Sequence, residues 1–88
     1  MDALDVILVM GSIHRVLKAE ALLKGHSIPV DTRVTPREVS ADCGMVVMVC
    51  AADVGRVMAV LEKAGVEPAS VWRMEGGMYR RREESIRP

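Results

Sequence analysis

Apolar runs and amphipathic stretches alternate along the chain and predict six elements in the order β-α-β-β-α-β. Four short apolar or alternating runs have the length and composition of strands, and they cover residues 4–10, 29–34, 45–50 and 71–74. Apolar residues at helical spacing predict two helices, over 13–24 and 54–64. Ser12 caps the first predicted helix and Asp53 or a neighbouring residue caps the second, while Gly25 and Gly65 end them.

This order of elements predicts an α+β fold of the ferredoxin-like type, a two-layer sandwich of a sheet and two helices. With right-handed crossovers, the four strands form an antiparallel sheet in the order 4-1-3-2, and both helices lie on one face. The end of strand one, the start of helix one and the loop between strands two and three then meet at one end of the sheet. We therefore expect Ser12, His14 and Cys43 to be neighbours.

Predicted strands one and three are apolar on both faces, whereas a two-layer fold covers only one face of its sheet. A homodimer through the open face is the expected cover, and the alternative is a C-terminal tail that folds back across it. We assign residues 1–75 to a single domain. Residues 76–88, which contain the run Arg80, Arg81 and Arg82, form an Arg-rich tail that need not be ordered.

Composition narrows the class of protein. The chain has 88 residues, and its 12 Lys and Arg balance its 12 Asp and Glu, which argues against nucleic acid as the main partner. No apolar run approaches the roughly 20 residues that span a bilayer. Asp2 and Asp5 stand where a signal peptide carries positive charge, so we expect a cytoplasmic protein. Two cysteines are too few for a disulfide framework.

Cys43 is the candidate nucleophile. It lies in a loop, 35–44, that is longer than a tight hairpin needs, and such loops often carry function. A thiolate is stabilised by a helix N-terminus or a cation; the topology brings helix one toward the loop, and Arg37 is the candidate cation, whereas Asp42 opposes both. Gly44 lets a partner's sulfur approach closely. The alternative is a thiol that only packs.

The sequence offers few other candidate side chains. His14 is placed to orient or deprotonate Cys43 as in a Cys-His pair, although a solvent-facing histidine is the alternative. Cys50 ends an apolar run, so we expect it to be buried, about 20 Å along the strand from Cys43 and beyond disulfide reach. The sequence has no metal-ligand spacing, G-x-G-x-x-G or Walker loop, so no metal and no cofactor are expected.

The loop and its surroundings resemble a known family. Residues 35–44, TPREVSADCG, resemble the P-R-x-x-S-x-x-C-G signature of the selenium/sulfur carrier-like proteins, small bacterial proteins that form a domain of unknown function. Ser12, His14 and the helix that follows resemble that family's S-x-H-x-x-x-K-A-E-x-x-L-x-x-x-x-I stretch. The resemblance covers about residues 5–74. Met10 and Gly11 depart from it, because relatives often have an aromatic residue before the serine.

The resemblance implies a carrier in selenium or sulfur metabolism, with a donor protein and an acceptor protein as partners. Cys43 would hold the sulfur or selenium, Gly44 would be its close neighbour, and Pro36 and Arg37 would supply the frame and the cation of the loop. Ser40 falls in register with the same signature. The candidate binding residues are therefore Ser12, Pro36, Ser40 and Gly44.

The sequence is compatible with three functions. The first is a carrier, not a turnover enzyme, in which the Cys43 thiolate accepts a chalcogen and passes it on. The alternative is a regulatory module that binds a small ligand or a protein and uses Cys43 only structurally. A thiol enzyme using Cys43, His14 and Ser12 is the weakest hypothesis, because no third residue orients His14 and the sequence gives no sign of an oxyanion hole beyond the helix cap.

Overall fold

The chain folds into a five-stranded antiparallel sheet and two α-helices, as seen in a computed structural model that describes residues 4–36 and 44–81. The elements in chain order are β1 (Val6–Val9), α1 (Ile13–Gly25), β2 (Asp31–Val34), β3 (Met45–Val49), a 3₁₀ turn (Ala51–Asp53), α2 (Val54–Lys63), β4 (Ser70–Glu75) and β5 (Met78–Arg81). The α+β class is therefore confirmed. No helix in the two described ranges combines the length and apolar character needed to cross a bilayer.

The order of strands across the sheet is β2-β3-β1-β4-β5, and every neighbouring pair is antiparallel. The predicted order 4-1-3-2 is wrong for this sheet, because a fifth strand extends it beyond β4. Gly76 and Gly77, both with positive φ (57° and 81°), form the tight turn that pairs β5 with β4. Residues 78–81, assigned above to the tail, thus belong to the sheet, and the ferredoxin-like topology stays a prediction.

Most of the core lies between the helices and one face of the sheet. Side chains from β1, β3 and β4 on this face pack against the inward stripes of α1 and α2; the fully buried centre includes Leu8, Val16, Leu23, Val47, Val57 and Leu61. Because antiparallel partners share a face, Leu8 places its neighbours Val47 and Val71 on the same side. This packed layer holds both helices on one face of the sheet.

The opposite face of the sheet carries a smaller apolar cluster. Ile7, Val9, Val46 and Met48 are at most 7% exposed in the single chain, with Leu4, Trp72 and Tyr79 packed beside them. A second copy was expected here because an apolar face open to water needs a cover. These four side chains are already buried without a second copy, and the homodimer stays a prediction.

The two helices end in different ways. After α2, Gly65 adopts φ +73°, and the Val66 N–H donates to the Leu61 carbonyl at 2.8 Å. After α1, the predicted end at Gly25 is confirmed, but Ser27 and not the glycine takes the left-handed conformation, with φ 59°. The Ile28 N–H then donates to the Leu23 carbonyl at 2.9 Å, which satisfies a carbonyl that the helix end exposes.

Candidate functional site

The base of the loop 35–44 lies at the end of the sheet where β1 and β2 finish and β3 begins. Val34 pairs with Met45 across the last rung of β2 and β3, and the Thr35 N–H donates to the Gly44 carbonyl at 3.1 Å. The two backbone segments that flank the loop are therefore hydrogen-bonded to each other where they join the sheet. We call this end of the molecule the loop end, and α1 also starts here, with three residues between it and β1.

Ser12 fixes the start of α1. Gly11, with φ +94°, turns the chain out of β1, and Ser12 follows in an extended conformation. The Ser12 Oγ accepts the Arg15 N–H at 3.2 Å, and its carbonyl accepts the Val16 N–H at 3.1 Å. The predicted helix cap is thus confirmed, and the hydroxyl of Ser12 is occupied in holding the first turn.

The first turn of α1 carries the positive charge of Arg15 and no carboxylate. It contains no acidic residue, while exposed His14 and Arg15 follow the cap. The partial positive charge of the helix N-terminus is therefore not offset from within the turn. The Arg15 Nη1 donates to the Glu67 carbonyl at 3.3 Å, which ties α1 to the segment that leads into β4. An anion at the loop end would meet both the helix dipole and these side chains.

The described part of the loop end holds four of the predicted site residues. Ser12 and His14 lie at the start of α1, half-buried Pro36 ends the segment after β2, and exposed Gly44 precedes β3. The other three, Arg37, Ser40 and Cys43, lie outside the described residues. The topology thus brings the start of α1 and both flanks of the loop to one end of the sheet, and the proximity of Cys43 to Ser12 and His14 stays a prediction.

Cys50 lies at the opposite end of the molecule. It follows β3 and is 3% exposed, so the expectation of a buried thiol is confirmed. Beside it, the Ala51 N–H donates to the Asp5 carboxylate at 3.1 Å, which connects β1 to the start of the 3₁₀ turn. Within 4–36 and 44–81, no three His, Cys, Asp or Glu side chains cluster as metal ligands.

A cluster of ion pairs lies at the same end of the molecule as Cys50, and the sequence did not predict it. We call this end the hairpin end, because β4 turns into β5 there. Arg73 Nε lies 3.8 Å from Asp5 Oδ2 and 4.0 Å from Glu75 Oε2, and Arg80 Nε lies 3.9 Å from Glu75 Oε1. The two glycines at 76 and 77, between alternating segments, were the sequence signal for this hairpin.

A family comparison covers most of these elements. Residues 5–73 match the family described as "Putative Se/S carrier protein-like". The chain belongs to this family. The Se/S carrier protein-like match includes α1, the loop 35–44 and α2, and it ends within β4, so β5 lies beyond it. Comparison with curated proteins found no match, and comparison with solved structures found none either.

Proposed function

We propose that this protein carries sulfur or selenium on Cys43 and delivers it from a donor protein to an acceptor protein. The observation that carries the proposal is the family match over residues 5–73, which includes the whole loop 35–44. A protein of this kind needs an accessible thiolate and two partners, and it needs no turnover chemistry of its own. The cytoplasm suits it, because a reducing compartment keeps the thiol available.

The proposed transfer is a thiol exchange without net oxidation. The Cys43 thiolate attacks the outer sulfur of a persulfide on the donor, the donor's S–S bond breaks, and a new S–S bond forms on Cys43. The donor thiolate is the leaving group and keeps the electron pair. A thiolate on the acceptor then attacks the outer sulfur and releases the Cys43 thiolate. A selenium atom in the outer position follows the same two displacements.

The loop end offers a physical reason for an acidified thiol. The start of α1 presents its free N–H groups and dipole toward this end, with no acidic residue in its first turn. A thiolate that approaches this turn gains from the helix N-terminus, and the pKa of the thiol falls as a result. The proposal gives Arg37 the role of a second cation, Pro36 and Gly44 the frame of the loop, and Ser40 and His14 positions beside the thiol.

Intact-mass measurement after incubation with a cysteine desulfurase and cysteine tests the carrier. The wild-type protein should gain the mass of one sulfur atom, and a reductant should remove it. Cys43→Ser should gain none, while the matched variant Cys50→Ala should gain the same mass as the wild type, because Cys50 is buried. Equal loading of Cys43→Ser, or loss of loading in Cys50→Ala with the fold intact, would contradict the proposal.

The alternative of a binding module leads to a different result. In that case Cys43→Ala leaves ligand or partner binding intact, and the thiol titrates near its ordinary pKa of about 8.5. The pH dependence of alkylation in the Cys50→Ala background therefore separates the two functions. A midpoint well below the ordinary value supports the carrier, and an ordinary midpoint together with unchanged binding supports the module.

A further inference from the structure

A recess of about 790 Å³ lies at the hairpin end, between the first turns of α2 and the β4–β5 hairpin. It exists because β5 extends the sheet past the two helices, while α1 packs over β3 and β2. Its volume falls in the range of about 300–1,000 Å³ that is usual for small-molecule sites. This recess is separate from the loop end, since α2 starts at the opposite end of the sheet from α1.

The recess has an apolar wall. Val54 and Met58 of α2 face Val6 and Val71 of the sheet, and all four side chains line the cavity. Val6 and Val71 are 2% and 8% exposed, so they form a buried floor, while the two α2 side chains are half-buried at its margin. A ligand with a short aliphatic or aromatic body would remove the exposed parts of Val54 and Met58 from water.

Arginines form the other wall. Arg73 and Arg80 stand directly opposite each other on β4 and β5, on the same face of the sheet, and both line the recess. Arg81 pairs with Trp72 and therefore belongs to the other face. Like charges in opposed positions are unfavourable. Glu75 offsets them only through contacts of 3.9 and 4.0 Å, and the Arg73 and Arg80 side chains are 50% and 67% exposed, so these ion pairs are weak.

The charges therefore favour an anionic guest. The guanidinium groups of Arg73 and Arg80 stand opposite each other in the recess, and the carboxylates of Glu75 and Asp5 contact them only at 3.8–4.0 Å. A ligand carboxylate between the two arginines would relieve their repulsion. We propose that the recess binds a small organic acid, with its carboxylate between Arg73 and Arg80 and its apolar body against Val54, Met58 and Val71. Arginine forks suit a carboxylate because they donate two parallel hydrogen bonds to it. In this site Glu75 competes with the ligand for the same two arginines.

Titration with octanoate, followed by ¹⁵N–¹H NMR of the full chain, tests the site. Octanoate should shift the amide signals of 51–58 and 71–81, and octan-1-ol, which lacks the charge, should bind at least about threefold more weakly. Arg80→Gln should weaken octanoate binding by a similar factor. Glu75→Gln should strengthen it by about twofold or more, because it removes the competing carboxylate.

Arg33→Gln is the matched control, because Arg33 is equally exposed, 64% against 67% for Arg80, and lies on β2 at the far edge of the sheet. It should leave octanoate binding unchanged. Cys43→Ser should also leave it unchanged, since the site does not depend on the carrier proposal. Shifts spread over the whole sheet, equal binding of octanol, or weaker binding by Glu75→Gln would overturn the inference.

Discussion

The two ends of the sheet use charge differently. At the hairpin end, the carboxylates of Asp5, Asp53 and Glu75 each lie within 4.0 Å of an arginine, so positive charge there is already partly matched inside the chain. At the loop end, the first turn of α1 has no acidic residue. An anion bound at the hairpin end must compete with a carboxylate of the protein, whereas one at the start of α1 meets no acidic residue of that turn.

The helix starts differ in the same way. Ser12 caps α1 through its hydroxyl, while Asp53, the residue before α2, makes no capping hydrogen bond with its side chain and instead lies 3.6 Å from Arg56. The start of α1 is thus held by a neutral cap that adds no negative charge. A hydrogen bond therefore holds the first turn of α1, while no acidic residue of that turn offsets the helix dipole.

The two cysteines give the largest test of this comparison. We expect Cys43 to react with iodoacetamide at least about 100-fold faster than Cys50. Cys50 is 3% exposed, so its thiol can react only when the structure around it opens locally. Single-cysteine variants, Cys50→Ala and Cys43→Ser, allow each rate to be followed by mass spectrometry. In urea above the unfolding midpoint the two rates should converge. Similar rates in the native protein would show that the reagent reaches the two thiols equally well, which would contradict the comparison.

Removing each helix cap should give a smaller effect. Ser12→Ala should lower the free energy of unfolding by about 1 kcal/mol, because the Arg15 N–H loses its partner. Asp53→Ala should cost only a few tenths of a kcal/mol, since it removes a partly exposed ion pair and no cap bond. Urea unfolding of both variants measures the difference, and equal losses would contradict the distinction between the two helix starts.

Much of the fold could be predicted because the apolar pattern is strong. The runs that became β1 and β3 are buried on both faces, and Ser12 could be identified as a cap from its place before an apolar helical stripe. The fifth strand was missed because its side chains are mostly exposed, so the segment around Arg80 has no apolar run. Pairing with β4 through the Gly76–Gly77 turn decides its structure, and that depends on tertiary context.

The site could be predicted in part. The order of the elements placed the start of α1 and the flanks of the loop at one end, which the described residues Ser12, Thr35 and Gly44 bear out. The hairpin-end recess could not be foreseen, because Arg73 and Arg80 come together only through the strand register. Sequence spacing alone reports neighbours within a helix or strand, whereas opposed positions on two strands require the turn to be known.

Asp31, which starts β2 at the hairpin end, should give the smallest effect. A hydrogen bond from the Arg33 side chain, and then one from the Thr32 N–H, hold the pKa of the Asp31 carboxyl below its ordinary value. A lowered pKa in the folded state means that the folded protein favours the ionised form. The resulting stability is present above the unfolded pKa of about 3.9 and is lost as the pH falls through the lower, folded value.

Asp31→Asn should therefore be less stable than the wild type at neutral pH. This deficit should shrink as the pH falls below the pKa of an ordinary aspartate. Arg33→Gln should reduce the same pH dependence, because it removes the largest cause of the shift. Urea unfolding across the acid range measures both variants. A deficit that stays constant with pH would mean that Asp31 acts through its shape alone. It would also mean that the pairing of charges described for the hairpin end does not extend to β2.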